Sequence, residues 1–188
     1  MTTLDQKYAL IRELVLQQES KDPIFICKLL MHEPYISIHG PEHHFLDGAA
    51  FLVAFKNAGG RIDIERALDE LASRSRTMPG AMCGYWGVCG STSSIGACFS
   101  IINKTGPLSD NQFYKDNMEY TSSVINVMSK IGGPRCCKRN AFTSISQGVK
   151  FAKEKYGVIM DLPLNTDCEF SSLNEQCIKE RCPYYRNK

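Results

Sequence analysis

Residues 40–60 read GPEHHFLDGAAFLVAFKNAGG, and this stretch carries the clearest fold signal in the chain. Pro41 suits the first turn of a helix that runs to about Ala58, and Gly59 and Gly60 end it. The helix is apolar on nearly every side. A helix without a polar face is buried, so we expect it to lie at the centre of the domain.

Two adjacent histidines, His43 and His44, fall in the first turn of this helix. Histidine ligates metals, moves protons or binds a substrate anion near neutral pH. The alternative is a histidine whose bonds are satisfied by its neighbours, or a surface one. The position after a Gly-Pro loop makes both residues candidates for proton transfer.

Helical periodicity recurs along most of the chain, and only VIMDLP (158–163) is typical of a strand. We expect Phe113, Met118, Val124, Val127 and Met128 to be core positions of one helix, and Ser172 to cap a short helix carrying Cys177. The helix with Phe113 covers about 110–130, and the other predicted helices cover about 3–18, 23–31, 63–76, an apolar stretch around Cys98, and 138–155.

These patterns predict a mainly α, single-domain bundle of about seven or eight helices with a cysteine-rich C-terminal tail and at most one short strand pair. The domain is expected to span 1–188, with packing helices in 1–38 and the motif-bearing core in 39–188.

Composition excludes several classes of function. A net charge of +2 is too small to argue for nucleic acid or an acidic membrane surface, and no apolar run is long enough to cross a bilayer. The N-terminus lacks the basic start and cleavage site of a signal peptide, so we expect a cytoplasmic protein. Nine cysteines are too many for chance and odd in number, which excludes complete pairing within the chain and favours metal or redox chemistry.

The strongest metal signal is the C-terminal trio Cys168, Cys177 and Cys182, the last followed by Pro183. A Cys-Pro pair near other ligand cysteines is a feature of iron–sulfur runs, although this spacing is not that of ferredoxins. The spacing also departs from the usual zinc pattern, so we favour an iron–sulfur cluster, with zinc as the alternative. A disulfide-rich tail is a third possibility that a cytoplasmic location disfavours.

Residues 132–140, GGPRCCKRN, place Cys136 and Cys137 at the start of a helix, beside Arg135 and other cations. A helix N-terminus and nearby cations lower the pKa of a thiol, so we expect this pair to be reactive. One of the two is expected to ligate metal and the other to carry or attack sulfur. Arg135 is expected to hold an anionic substrate group.

The glycine-rich stretch 78–94 carries Cys83 and Cys89. We expect them to line one pocket with the other candidate cysteines, or to hold a second metal. The fourth cluster ligand therefore comes from Cys136, Cys137, Cys83 or Cys89, or is absent and leaves one iron open. Helix N-termini after loops at Gly40, Gly90 and Gly133 are expected to converge on this pocket. Cys27 and Cys98 lie in apolar runs and are expected to be core.

Four motifs resemble those of a cysteine-rich domain family of anaerobic bacteria and archaea, which occurs alone or attached to S-adenosylmethionine-dependent methyltransferase or radical-type proteins. The motifs are GPEHHFLDGAAFLVAFKNAGG (40–60), MPGAMCGYWGVCG (78–90), GGPRCCKRNAF (132–142) and CEFSSLNEQCIKERCPYY (168–185). They lie between about Gly40 and Tyr185. The resemblance implies anaerobic metabolism and an oxygen-sensitive cofactor. The residues that match the family motifs are His43, Cys83, Cys89, Cys136, Cys137, Cys168, Cys177 and Cys182.

The sequence therefore predicts an iron–sulfur enzyme, with a [4Fe–4S] cluster on Cys168, Cys177, Cys182 and Cys136, that handles sulfur or a small thiol or anionic substrate. Sulfur transfer or desulfuration is the expected reaction class, with a small molecule or sulfur donor as partner. The alternatives are a cluster-carrying or electron-transfer partner of a methyltransferase or redox protein, and a structural zinc module.

Overall fold

A computed structural model describes residues 2–186, and within that range the chain forms α-helices and no β-strand. The helices are α1 (Leu4–Leu16), α2 (Pro23–Met31), α3 (His43–Asn57), α4 (Ile64–Arg76), α5 (Met82–Tyr85), α6 (Gly90–Asn103), α7 (Gln112–Ile131) and α8 (Cys137–Tyr156). Two single 3₁₀ turns, Ser171–Leu173 and Lys179–Arg181, follow in the tail. The prediction of a mainly α domain is confirmed. No described helix is both long and apolar enough to span a membrane.

The helix boundaries follow from local hydrogen bonding at the caps. Asp22 caps α2, and its Oδ1 accepts the backbone N–H groups of Ile24 at 2.8 Å and Phe25 at 3.0 Å. Such a cap satisfies donors that have no partner within the helix. Gly157 ends α8 with φ +65°, in the left-handed region that glycine adopts without steric cost.

Helix α3 is the central element, since every residue from His43 to Phe55 is buried. It packs against α1, α2, α4, α6 and α8. Burial of each large apolar side chain contributes about 1.5–3 kcal/mol, so α3 supplies much of the core. It lies close against α6 at Gly48, where an added Cβ would lie 2.5 Å from Ser94 Oγ and 2.9 Å from Cys98 Sγ.

The predicted core face of α7 is partly wrong. Phe113 is 42% exposed and Met118 is 57% exposed, whereas Tyr120 and Val124 are buried. Asp116 is also buried on this face, where its carboxylate accepts a bond from Lys155 Nζ at 3.2 Å. Packing against α6 and α8 buries the face that carries Tyr120 and Val124, with Met128 partly buried beside them, and leaves Phe113 and Met118 outside it.

Two local predictions near the C-terminus are also wrong. The VIMDLP segment is extended but pairs with no strand within the described residues, and Asp161 N–H donates to Lys21 O at 2.9 Å instead. Cys177 lies between the two 3₁₀ turns and not on a helix capped by Ser172. The Asn174 side chain accepts the Gln176 N–H at 2.9 Å, and such a local turn competes with helix formation.

The close contact at Gly48 generates a stability prediction. Gly48→Ala forces a methyl group into Ser94, Leu71 and Cys98, so the free energy of unfolding should fall by about 1–3 kcal/mol. Gly106→Ala is the matched control, because nothing lies within 4 Å of a Cβ added there. Urea unfolding of both variants measures the effect, and equal midpoints would contradict this account of the α3–α6 contact.

Candidate functional site

Four cysteines from distant parts of the sequence line one small cavity of about 20 Å³, called here the tail cavity. They are the tail trio Cys168, Cys177 and Cys182, together with Cys136 at the start of α8. Burial raises the pKa of Cys168, and its repulsion by the thiolates of the other three raises it further. The four thiols therefore lie close enough to influence one another's charge. They are the four cysteines that the sequence predicts as cluster ligands, with Cys136 as the fourth.

Backbone N–H groups point at the sulfurs of all four cysteines. Cys136 Sγ accepts from Arg139 N at 3.4 Å, and Cys177 Sγ accepts from Lys179 N at 3.4 Å. The sulfurs of Cys168 and Cys182 accept the N–H groups of Phe170 and Tyr184 respectively. In each tail cysteine the donor is thus two residues further along the chain. Hydrogen bonds to the charged form favour a thiolate over a thiol.

Two buried cations adjoin the tail cavity without a carboxylate partner. Lys138 is 1% exposed and Arg139 is 4% exposed, and neither forms a salt bridge within the described residues. Arg139 donates to the carbonyl oxygens of Gly132 at 3.0 Å and Pro134 at 2.7 Å. Burial lowers the pKa of Lys138, since an unpaired charge is costly in a low-dielectric interior. The tail cavity is therefore bordered by buried positive charge that no described carboxylate balances.

A larger cavity of about 190 Å³, called here the histidine cavity, adjoins the tail cavity and shares Cys136 with it. The N-terminal residues of three helices line it: His43 and His44 of α3, Gly90 of α6, and Cys137 of α8. The other lining side chains that carry chemistry are His39, Cys83, Cys89, Ser91, Arg135 and Asn140.

His39 connects the two cavities and was not singled out from the sequence. Its Nε2 donates to Asn174 Oδ1 at 3.0 Å, and its Nδ1 accepts the Cys137 N–H at 3.5 Å. Asn174 Nδ2 in turn lies 3.6 Å from Cys136 Sγ. Burial lowers the pKa of His39, so the neutral ring that these bonds require is favoured. Its place in the motif ISIHGPEHH was the available signal.

The two predicted histidines differ in their surroundings. His43 Nε2 lies 3.0 Å from Lys138 Nζ and 2.9 Å from Ser37 O, while its buried Nδ1 makes no hydrogen bond to a described residue and lies 3.9 Å from Asp47 Oδ1. His44 Nδ1 lies 3.3 Å from Met78 O, and its Nε2 faces Gly90. Burial lowers the pKa of His44, which keeps this ring neutral as well.

The expectation that the helix start lowers the pKa of the cysteine pair is wrong for Cys137. Burial raises the pKa of Cys137 to about 12 and outweighs the N–H group of Gly40 that donates to its sulfur. Burial also raises the pKa of Cys89, although Asn140 Nδ2 donates to Cys89 Sγ at 3.3 Å. Lys138 and Arg139, which follow the pair, donate to backbone carbonyl groups. Their position in the sequence was therefore a poor guide to the pKa of Cys137.

The remaining candidates are more exposed, or lie in the core. Arg135 is exposed and lines both the histidine cavity and a third, open cavity of about 360 Å³. Cys83 lies on α5 and borders the same two cavities. Cys27 and Cys98 are fully buried among apolar residues. Within residues 2–186, no three His, Cys, Asp or Glu side chains are grouped so as to hold a metal ion as they stand.

Glu42, the N-cap residue of α3, fixes the loop that leads to His39. Its buried carboxylate accepts from Lys7 Nζ at 2.7 Å and from Ser37 N at 2.9 Å. Burial alone would raise the pKa of Glu42, but these hydrogen bonds lower it from 4.5 to about 2. The ionised carboxylate is therefore part of the folded structure.

Acid titration tests this role. A carboxyl group whose pKa is lower in the folded state stabilises the protein above its unfolded pKa, and that stability is lost as pH falls through the folded value. Wild-type stability should thus drop by roughly 3 kcal/mol more than that of Glu42→Gln between about pH 5 and pH 2. Urea unfolding across this range measures it, with exposed Glu13→Gln as control. Parallel curves for wild type and Glu42→Gln would contradict it.

Comparison with known proteins gives one match. The family model DUF5714, described as a family of unknown function, matches residues 11–185, so the match begins within α1 and includes both cavities. No curated protein and no solved structure matches the chain. Because the matched region spans nearly the whole sequence, the chain belongs to the DUF5714 family of unknown function.

Proposed function

We propose that this protein is an iron–sulfur enzyme whose [4Fe–4S] cluster is held by Cys136, Cys168, Cys177 and Cys182. The observation that carries the proposal is that these four cysteine side chains line the tail cavity, with backbone N–H groups bonded to the sulfurs of Cys136 and Cys177. Because this cavity measures only about 20 Å³, the irregular tail would have to shift outward to admit the cluster. Four thiolates are the usual ligand set of such clusters, and hydrogen bonds to the sulfurs tune them.

The charge balance supports the same assignment. A neutral cavity would leave Lys138 and Arg139 buried without a counter-charge, which costs several kcal/mol per ion. Four thiolates around a cluster would supply that negative charge. The cluster would in turn provide single-electron chemistry when bound.

A structural zinc ion is the competing occupant, since four cysteines also suit zinc. The Cys182-Pro183 pair favours iron–sulfur ligation, as do the buried cations beside the site. All nine cysteines are free thiols here, in keeping with a reducing, cytoplasmic location.

The histidine cavity is the proposed substrate site. Cys136 borders both cavities, so a cluster on Cys136 would lie against the bound substrate. The volume of about 190 Å³ admits only a small molecule, and Arg135 at the mouth favours an anionic group. Cys137 and the neutral His39 face this substrate, and His39 is placed to move a proton. A small thiol carboxylate combines the features that these residues recognise.

Metal analysis tests the cluster assignment. Protein purified without oxygen should be brown and contain about four iron and four sulfide per chain. Cys177→Ser removes a ligand and should abolish most of the iron and sulfide. Iron and acid-labile sulfide assays with an absorption spectrum provide the measurement.

Cys98→Ser is the matched control for this experiment, because Cys98 is buried in the core and its thiol only donates to Gly48 O at 3.5 Å. It should keep full cluster content. A colourless wild-type protein with one zinc and no sulfide would overturn the iron–sulfur assignment in favour of the structural alternative.

Ligand binding tests the substrate site separately. Mercaptoacetate, a small thiol carboxylate, should bind the anaerobic protein, and Arg135→Ala should weaken the Kd by roughly 3- to 10-fold, as expected for one exposed charge. Arg61→Ala, an exposed arginine that borders neither site cavity, is the control. Calorimetric titration gives the Kd values, and equal affinity for wild type and Arg135→Ala would remove Arg135 from the site.

A further inference from the structure

A second group of thiols lies outside the tail cavity. Besides Cys136, three cysteines line the histidine cavity: Cys83, Cys89 and Cys137. We propose that these three thiolates, with Nε2 of His44, form a second metal site for a thiophilic divalent ion such as Zn²⁺. Thiolate and imidazole together are the preferred ligands of such ions. The proposal does not depend on the iron–sulfur cluster.

Two of the three thiols are held at the ends of long helices. Cys89 is the N-cap residue of α6 and Cys137 is the first residue of α8, and these helices pack directly against each other. Both residues line the histidine cavity, and charge on Cys89 raises the pKa of Cys137. The packed core therefore fixes the backbone of both ligands on one side of the cavity.

Hydrogen bonds around these sulfurs resemble an outer coordination shell. Cys89 Sγ accepts from Asn140 Nδ2 at 3.3 Å, and the N–H groups of Ser91 and Thr92 oppose the rise in its pKa that burial causes. The sulfur of Cys137 accepts the N–H of Gly40. Such donors stabilise the thiolate that a metal requires, and a neutral thiol gains little from three of them.

His44 presents a free nitrogen to the same place. Because Met78 O can only accept, the bond at 3.3 Å puts the proton of His44 on Nδ1 and leaves the lone pair on Nε2. A Cβ added to Gly90 would lie 2.2 Å from Nε2, so the ring lies directly against the backbone next to Cys89. A backbone carbonyl that fixes the outer ring nitrogen is the usual arrangement around a metal-binding histidine.

The third thiol, Cys83, lies on a segment that makes few buried contacts. No residue of α5 is buried, and Tyr85 and Trp86 are 81% and 62% exposed. Gly80, Gly84 and Gly87 have no neighbours within 4 Å of an added Cβ. Few buried contacts mean a low cost of local rearrangement. Metal binding completes the site by drawing the 80–87 segment, with Cys83, toward Cys89 and Cys137.

Metal binding at this site would release protons, and the tryptophan on the same segment would report it. Three thiols lose their protons to solvent as three metal–sulfur bonds form, and no electron is transferred. Trp86 is the single tryptophan of the chain and lies three residues after Cys83. Its emission therefore reports on this segment alone.

Titration with Co²⁺ tests the second site in the anaerobically purified, cluster-containing protein after dialysis against EDTA. One equivalent should bind, with the charge-transfer absorption of tetrahedral cobalt–thiolate and a change in Trp86 emission. Cys83→Ser and Cys89→Ser should each weaken the Co²⁺ Kd by more than the 10- to 100-fold expected for loss of an outer-shell partner. Cys83 is on a segment without buried residues, so this variant tests ligation without disturbing the core.

Two control variants separate this site from the tail cavity. Cys98→Ser should bind Co²⁺ like wild type, and Cys177→Ser should retain the Cys83-dependent Co²⁺ spectrum while losing iron. Wild-type affinity in Cys83→Ser would overturn the second site, as would a Co²⁺ spectrum that only Cys177→Ser removes. Iron content is measured in the same samples, so failure of the cluster assignment is recognised independently.

Discussion

The burial of α3 on all sides is the constraint on which the rest of the structure depends. An apolar helix that packs against five others must bury its polar first turn along with its apolar body. His43, His44 and Asp47 are therefore buried and require partners or a cavity. The N-cap Glu42 is held by Lys7 and Ser37, and His43 lies beside Lys138. The apolar body of α3 thus forms part of the core, and its polar first turn forms part of the candidate site.

The second organising feature is the start of α8, where consecutive residues belong to different sites. Cys136 is the N-cap residue and lines both cavities, whereas Cys137 begins the helix and lines only the histidine cavity. A change from extended to helical backbone between neighbouring residues sends their side chains in different directions. Cys136 therefore lies between the two cavities, and hydrogen bonds of His39 and Asn174 link their walls.

The third feature is the buried positive charge beside the cysteines at this helix start. Lys138 and Arg139 are buried and bond to carbonyl groups, so their charge is not cancelled within the described chain. Buried cations of this kind need anionic partners. The proposed thiolate-held metal group would supply such a partner. Phe170 and Tyr184 pack the irregular tail against the core.

The sequence by itself determined the helices and their caps, because periodicity and residues such as Asp22 and Asp63 act within a few positions. It also singled out the seven cysteines that lie outside the core. It could not decide which face of α7 is buried, nor that burial raises the pKa of Cys137, since both depend on residues far away in the chain. Only the tertiary structure divided the cysteines between two cavities and brought His39, Asn140 and Asn174 to them. Contacts between distant segments leave no local pattern, so Asn140 and Asn174 had no signal of their own, and His39 had only its place in the motif ISIHGPEHH.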